Sequence, residues 1–314
     1  MPSDSEPHLS RIIPSGNIDV SLSEIIYFVV QNQLVVGLDG AKIRLMYWHE
    51  LSSPGVDSLD REIPIILPLG SCEQHGRHLP LFVDSLQVTE IASRLEARMP
   101  KRVVVAPTLW LGSSHHHLDF PGTISVPPKL YTEMLQSVAK CFLQHGFRRL
   151  FFLNGHGGNV IPASQALTDL IVSDERADAA CLALSSWWRA AGEAMKPEQH
   201  GLETPVLTHA CEYETSVMLA IRNDLVHLGE IAADHIERTR PWVAKPRWVG
   251  KVDGFHRFYR WTSTGHMGRP EVATREKGLS LLDAITDTLV ALIEDFAEWP
   301  PMTKMLPADE TGSR

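Results

Sequence analysis

Four short apolar runs, separated by stretches of helical spacing, constrain the fold of this chain more than any other feature. The runs are Ile63 to Leu69, Val103 to Pro107, Arg149 to Leu153 and Cys181 to Ser185. Between them, Ser85 to Met99, Leu130 to His145 and Asn159 to Val172 repeat apolar residues three and four apart, which predicts helices. Leu86, Ile91 and Leu95 are the expected core positions of the first helix. Leu130, Met134, Val138 and Phe142 are those of the second. Strands joined by helices of this length need crossover connections, so they pair in parallel and are covered on both faces. Further helices are expected at Glu212 to Ile221 and Lys277 to Phe296. In the last, Leu282, Ile285, Leu289, Leu292 and Phe296 form a core-facing stripe. The predicted class is therefore α/β, a three-layer fold with a mostly parallel sheet and helices on both faces.

The 314 residues divide into an N-terminal extension over 1–40, one main domain over 41–300 and a flexible tail over 301–314. Within the domain, 234–264 is rich in Trp, Arg and Pro and reads as an irregular excursion, a lid or an interface arm. A net charge of −9 argues against nucleic acid or an anionic membrane as the main partner. The apolar run from Ile25 to Val36 is broken by Gln31 and Gln33 and is too short to cross a bilayer. The first residues lack the basic and apolar regions of a signal peptide, and the four cysteines, at 72, 141, 181 and 211, form no Cys-x-x-Cys pair. A cytoplasmic location with free thiols is the expectation.

The polar motifs fall directly after two of the predicted strands. Gly70 to Asp84 follows the first and contains Glu73, His75 and Asp84. Residues two apart in extended chain point the same way, so Glu73 and His75 share a side. Carboxylates mixed with imidazole form half of a metal site. His156, in the glycine-rich turn Asn154 to Asn159, follows the third strand, and His209, Glu212 and Glu214 stand where a later helix begins. In open α/β sheets, sites form beyond the carboxyl ends of the strands, where both motifs fall. Each residue has an ordinary explanation alone: Asp84 as a helix cap, His75 as a hydrogen-bonded loop residue, His156 in a surface turn. Acidic residues also suit a helix N-terminus. Glu212 and Glu214, however, point about 200° apart on a helix, so a solvated first turn accounts for only one of them.

Taken together, the segments Leu67 to Gly76, Phe120 to Ser125, Asn154 to Asn159, His209 to Ser216 and Ala273 to Gly278 resemble the creatininase (creatinine amidohydrolase) family. The resemblance implies a dinuclear metal hydrolase, usually a homohexamer. Carried over, Glu73 and His156 would hold one cation, His75 and Glu212 the other, and Asp84 would bridge them. His209 would shuttle a proton as a catalytic residue beside Glu212. His117, Ser114 and Trp187 would line the substrate pocket, with His115 and His116 exposed and Trp188 in the core. The chain departs from creatininase at Gly158, where creatininase has a ligand Glu, and at Glu212, where creatininase has an apolar residue. That exchange suggests a ligand supplied from another loop and a substrate other than creatinine.

Three clustered carboxylates and a bridging hydroxide balance two divalent cations; without cations they repel. Two imidazoles with carboxylates and no thiolate suit Zn²⁺ first, then Mn²⁺ or Fe²⁺. The expected reaction is hydrolysis of a C–N bond in a small polar amide, lactam or formamide by a metal-activated bridging water. The alternatives are a related hydrolase acting on a cyclic ketone or trimming a peptide, and a metal-free binding protein on the same scaffold.

Overall fold

The computed structural model describes residues 46–233, 235 and 255–300, with the backbone of 35–36 and 42–43. Most of the expected extension (1–40), the tail (301–314) and residues 234 and 236–254 of the expected excursion lie outside the described residues. The chain divides into two units, Met1–Arg44 and Leu45–Arg314. In the first, Val35–Val36 pairs antiparallel with Lys42–Ile43.

The second unit alternates strand and helix: β1 (Ile65–Leu69), α1 (Val83–Arg98), β2 (Val104–Val105), α2 (Pro128–Gln144), β3 (Arg149–Asn154), α3 (Val160–Ser173) and β4 (Cys181–Ser186). Two further long helices follow, α4 (Glu212–Arg222) and α5 (Arg275–Ala297). The four strands form one parallel sheet in the order β2-β1-β3-β4. The pleat sends alternate residues to opposite faces. Ile66, Phe151 and Leu153 join α1, α4 and α5 in one core. Ile65, Leu67, Leu69, Leu150 and Phe152 join α2 and α3 in the other. This is the predicted three-layer arrangement.

The order also locates the place where a site can form. The chain leaves β1 for β2 on one side, then returns to lay β3 on the other, so the strand order reverses between β1 and β3. Their register pairs Leu69 with Asn154, which brings the two carboxyl ends level. Connections diverge there and leave a crevice.

Helix phases differ from the sequence expectation in detail. Helix α2 buries Tyr131, Leu135, Ala139 and Phe142, whereas Leu130 is 50% exposed and Met134 and Val138 are only half-buried. Pro128 opens the helix, and from that start the tyrosine ring, not Leu130, meets the sheet. Leu86 of α1 is half-buried beside the buried Val88, Ile91 and Leu95. Helix α5 buries Leu281, Leu282, Ile285, Leu289, Ile293 and Phe296, with Leu292 at the margin. Each such side chain contributes about 1.5–3 kcal/mol of burial. Thr274 caps α5 by accepting from the Lys277 amide, which sets Lys277 on the first turn, facing α4.

Candidate metal centre

The connection from β1 to α1 supplies Glu73, His75 and Asp84, and the turn after β3 supplies His156. Close approach of these segments depends on glycine. A Cβ at Gly70 would stand 2.3 Å from Ser85 Oγ, and one at Gly155 would stand 2.8 Å from Val88 Cβ. Without side chains there, the first turn of α1 seats against both strand ends and presents Asp84 to His156.

The two carboxylate oxygens of Asp84 face different histidines. Oδ1 lies 3.2 Å from His75 Nε2, and Oδ2 lies 2.9 Å from His156 Nδ1. Glu73 Oε1 lies 3.4 Å from the same His156 nitrogen. Glu214 Oε2 lies 3.9 Å from His75 Nε2. Three groups of ligand atoms fall within 4.8 Å of one another: Glu73, His116 and His156; Glu73, His75 and His209; and His75, Asp84 and Glu214.

These donors fit divalent cations. His75 Nδ1–H donates to the Glu73 carbonyl at 3.1 Å. His156 Nε2–H faces the Ser113 carbonyl at 3.3 Å and Ser114 Oγ at 3.1 Å. Each ring is thus held in the tautomer that turns its other nitrogen's lone pair toward the carboxylates, the usual arrangement of metal-ligating imidazoles. Glu73 Oε2 and His75 Nε2 are buried with no hydrogen-bond partner. Buried polar atoms rarely go unmet unless another ligand is intended.

The local charges point the same way. Burial presses His75 toward neutrality, yet Asp84 overturns this and lifts it to about 9. His156 is also depressed by burial but carried well above its ordinary value by Glu73 and Asp84. Asp84, despite burial, is held far below the carboxylate range by His75 and His156. Burial raises Glu214 to about 7, with His75 pulling the other way. The cluster therefore demands positive charge, which protons on imidazole supply when no cation does.

Several sequence expectations are corrected here. Glu212 does not reach the cluster. Its carboxylate accepts from Lys277 Nζ at 2.7 Å and from the Thr204 and Glu203 amides at 2.6 and 2.9 Å. The helix begins at Glu212 itself, so the residue at the cluster is Glu214, two positions and about 200° further on. Glu214 Oε2 also accepts from the Ala210 amide. Trp187 is 2% exposed and lies in the core, while Trp188 lines the pocket. The chain turns directly from β4 into the short helix Trp187–Ala190, which buries Trp187 and leaves Trp188 half-buried, packed against the core and lining the pocket. Ser114 is fully buried against His156 and steadies that ring; it does not line the cavity. His116, expected on the surface, lines the pocket beside His117.

Above the cluster opens a cavity of about 420 Å³. Glu73, Asp84, His117, His156, His209 and Glu214 lie on its polar side. Ile161, Trp188, Leu207, Phe255, Phe258 and Met267 supply apolar wall. Phe255 and Phe258 come from the described end of the excursion. Cys211 is fully buried and its thiol is pushed up to about 11 by burial, so it stays protonated and is no nucleophile.

A family profile described as Creatininase: Creatinine amidohydrolase matches residues 49–293. The chain belongs to the creatininase family. It is 31% identical over 264 residues to 3-dehydro-scyllo-inosose hydrolase of Thermotoga maritima, covering 80% of this chain and 83% of that one. It is 30% identical over 248 residues to creatinine amidohydrolase of Pseudomonas putida, covering 76% and 90%. A mycofactocin precursor peptide peptidase of Mycobacterium ulcerans is 30% identical over 247 residues, covering 76% and 86%. Among solved structures, a mutant creatininase described as Zn-Zn type superposes with a TM-score of 0.68 at 26% identity, covering 81% of this chain and 98% of that chain. A structure described as creatininase Mn has a TM-score of 0.68 at 25% identity, covering 82% and 100%. This creatininase-family chain is thus a hydrolase with a cluster of metal-ligand type. Among the described residues, no helix is long and apolar enough to cross a membrane.

Proposed function

We propose that the chain is a dinuclear metal hydrolase that cleaves a C–N bond in a small polar amide, lactam or formamide. The observation that carries this reading is Asp84, whose two oxygens each face a separate imidazole already turned to offer a lone pair. Glu73 and His156 would hold one divalent cation, His75 and Glu214 the other, with Asp84 between them. The cations, when bound, supply an activated water and polarise the substrate carbonyl. Zinc is the preferred ion for this donor set, with manganese or iron next; solved relatives described as Zn-Zn type and as creatininase Mn support a divalent ion.

The chain's own residues do the rest. His209 Nε2–H donates to the Gln74 carbonyl at 2.7 Å, so its Nδ1 keeps a lone pair, 3.6 Å from Glu73 Oε1. Burial and then His75 hold it well below the usual histidine range, and it is neutral at pH 7. A neutral ring facing the cluster accepts the proton released at the nucleophile and returns it to the leaving nitrogen. The apolar walls exclude water from the bond being cut and accept a flat or weakly polar substrate body. The cavity suits a small molecule better than a polypeptide, and a homo-oligomer in the cytoplasm is the expected setting.

The test is a panel of creatinine, formamides, lactams, cyclic ketones and short peptides, read as release of ammonia, formate or a new carboxylate, with metal content measured in parallel. An amide or lactam turned over at two metals per chain is the expected result; metal below one per chain with no turnover overturns the reading. His209→Ala should keep the metals and lose turnover by roughly 10²–10⁴-fold.

A further inference from the structure

Gln74 stands between the metal ligands Glu73 and His75 but faces two other histidines. It is 4% exposed. Its amide orientation is decided by the backbone: Oε1 accepts from the Gly76 amide at 3.0 Å, which leaves Nε2 as the NH₂ end. That end lies 2.8 Å from His117 Nδ1 and 3.1 Å from His209 Nε2. An NH₂ group can only donate, so His117 Nδ1 must accept. Its proton then sits on Nε2, the nitrogen 3.5 Å from Glu73 Oε1. For His209 the Gln74 carbonyl decides. At 2.7 Å from Nε2 it requires a hydrogen there and sends the Nδ1 lone pair toward the cluster.

The two rings are thereby given opposite roles on one carboxylate. His117 offers Glu73 a hydrogen; His209 offers the same region a lone pair. Their centroids are 4.5 Å apart, so an exchange of protons between them would reverse both roles within the same packing. The seat of Gln74 is also shaped for it: a Cβ at Gly265 would stand 2.0 Å from Gln74 Oε1, and Gly265 has φ +86°. The Gln74 amide itself donates to Thr123 Oγ1 at 3.1 Å, so the residue is tied at backbone and side chain alike.

We infer that Gln74 is a positioning residue that fixes the tautomers of His117 and His209, making the first a donor and the second an acceptor at the cluster. The inference deepens the hydrolase reading and rests on it for its consequence, but the proton positions are measurable without turnover. With His117 as a fixed donor at the pocket floor, a substrate carbonyl or the developing oxyanion gains a hydrogen-bond partner. With His209 as a fixed acceptor, the proton path has one direction.

Neutron diffraction on the deuterated, zinc-loaded full chain tests this directly. Deuterium is expected on Nε2 of both His117 and His209, with neither Nδ1 occupied. In Gln74→Glu, the side chain becomes an acceptor of the same shape, and the His117 deuteron should move to Nδ1 while His209 keeps its Nε2 deuteron and zinc content stays within about twofold of the parent. Deuterium on His117 Nδ1 in the parent, or an unmoved His117 deuteron in Gln74→Glu, overturns the inference. Should that variant fail to fold, Gln74→Met serves: loss of a single His117 tautomer is expected, and an unchanged Nε2 deuteron at full occupancy counts against the proposal. Failure of the substrate panel with these deuterons in place would sink the function and leave the tautomer assignment standing.

Discussion

Glu212 and Glu214 stand two residues apart on the first turn of α4, and both are buried. Their surroundings are opposite. Glu212 has its own cation, Lys277, and two backbone amides; burial disfavours its charge, but those partners bring its pKa below the ordinary value. Glu214 has one backbone amide and a histidine, and burial raises it to about 7. A buried carboxylate that carries its own lysine is complete and serves the fold. One whose charge is left to be met from elsewhere is available to a ligand. Four substitutions test this contrast, the last at a buried acid outside the cluster.

The largest effect is expected at Asp84, which faces both halves of the centre. Asp84→Ala should strip both cations, with metal analysis giving near-zero content and turnover lost by more than about 10³-fold. Full occupancy in that variant would contradict the shared role. Next is Glu214→Gln, which should weaken the site on the His75 side by at least about 100-fold, read by titrating zinc into the stripped protein. Glu212→Gln should do the reverse. Metal content is retained, while the unpaired Lys277 lowers unfolding free energy by about 3 kcal/mol in a denaturant titration. If Glu212→Gln lost metal and Glu214→Gln did not, the assignment of the two residues would be inverted.

The smallest effect belongs to Glu96, a buried acid that accepts from the Met46 amide and forms no ion pair among the described residues. Burial is the main cause of its rise from 4.5 to about 7. Its folded pKa exceeds its unfolded one, so its contribution is fully present below 4.5 and is lost as pH rises through 7. Glu96→Gln should therefore raise the melting temperature by a few degrees at pH 8, worth about 3 kcal/mol at most, with the gain vanishing near pH 4.5. A gain that persists in acid would point to packing instead.

How far the sequence could be read depends on local geometry. Where the chain is extended, a period of two is forgiving: spacing alone sets Glu73 and His75 on one side and lays out the sheet, and the strand-end rule locates His156. At a helix start each residue turns the side chain by about 100°, so a small error in phase selects a different face. Tyr131 takes the core place expected of Leu130 on that account, whereas Glu212 is a ligand only by the family resemblance, and the structure sets Glu214 at the cluster instead. The helix starts at Glu212, as the sequence predicts, although its cap, Cys211, bears none of the usual capping oxygens. The resemblance assigns Trp187 to the pocket; at the passage from β4 into a one-turn helix the structure buries that ring and brings Trp188 to the lining. Gln74 went unnoticed because a neutral amide carries no charge or ligand signature; its neighbour Gly76 was in the motif, but the hydrogen bond that orients the amide is a matter of three-dimensional closure. The pairing of Lys277 with Glu212 had a trace in the sequence, the motif from Ala273 to Gly278.

That pairing has a consequence for how the protein matures. The lysine that anchors the first turn of α4 lies 65 residues downstream of its partner. During synthesis, all five proposed ligands have emerged from the ribosome well before the clamp that steadies the helix bearing Glu214. Nascent chains halted short of α5 would lack the lysine that meets the buried Glu212 charge, and α4 would have to hold that carboxylate on the Thr204 and Glu203 amides alone.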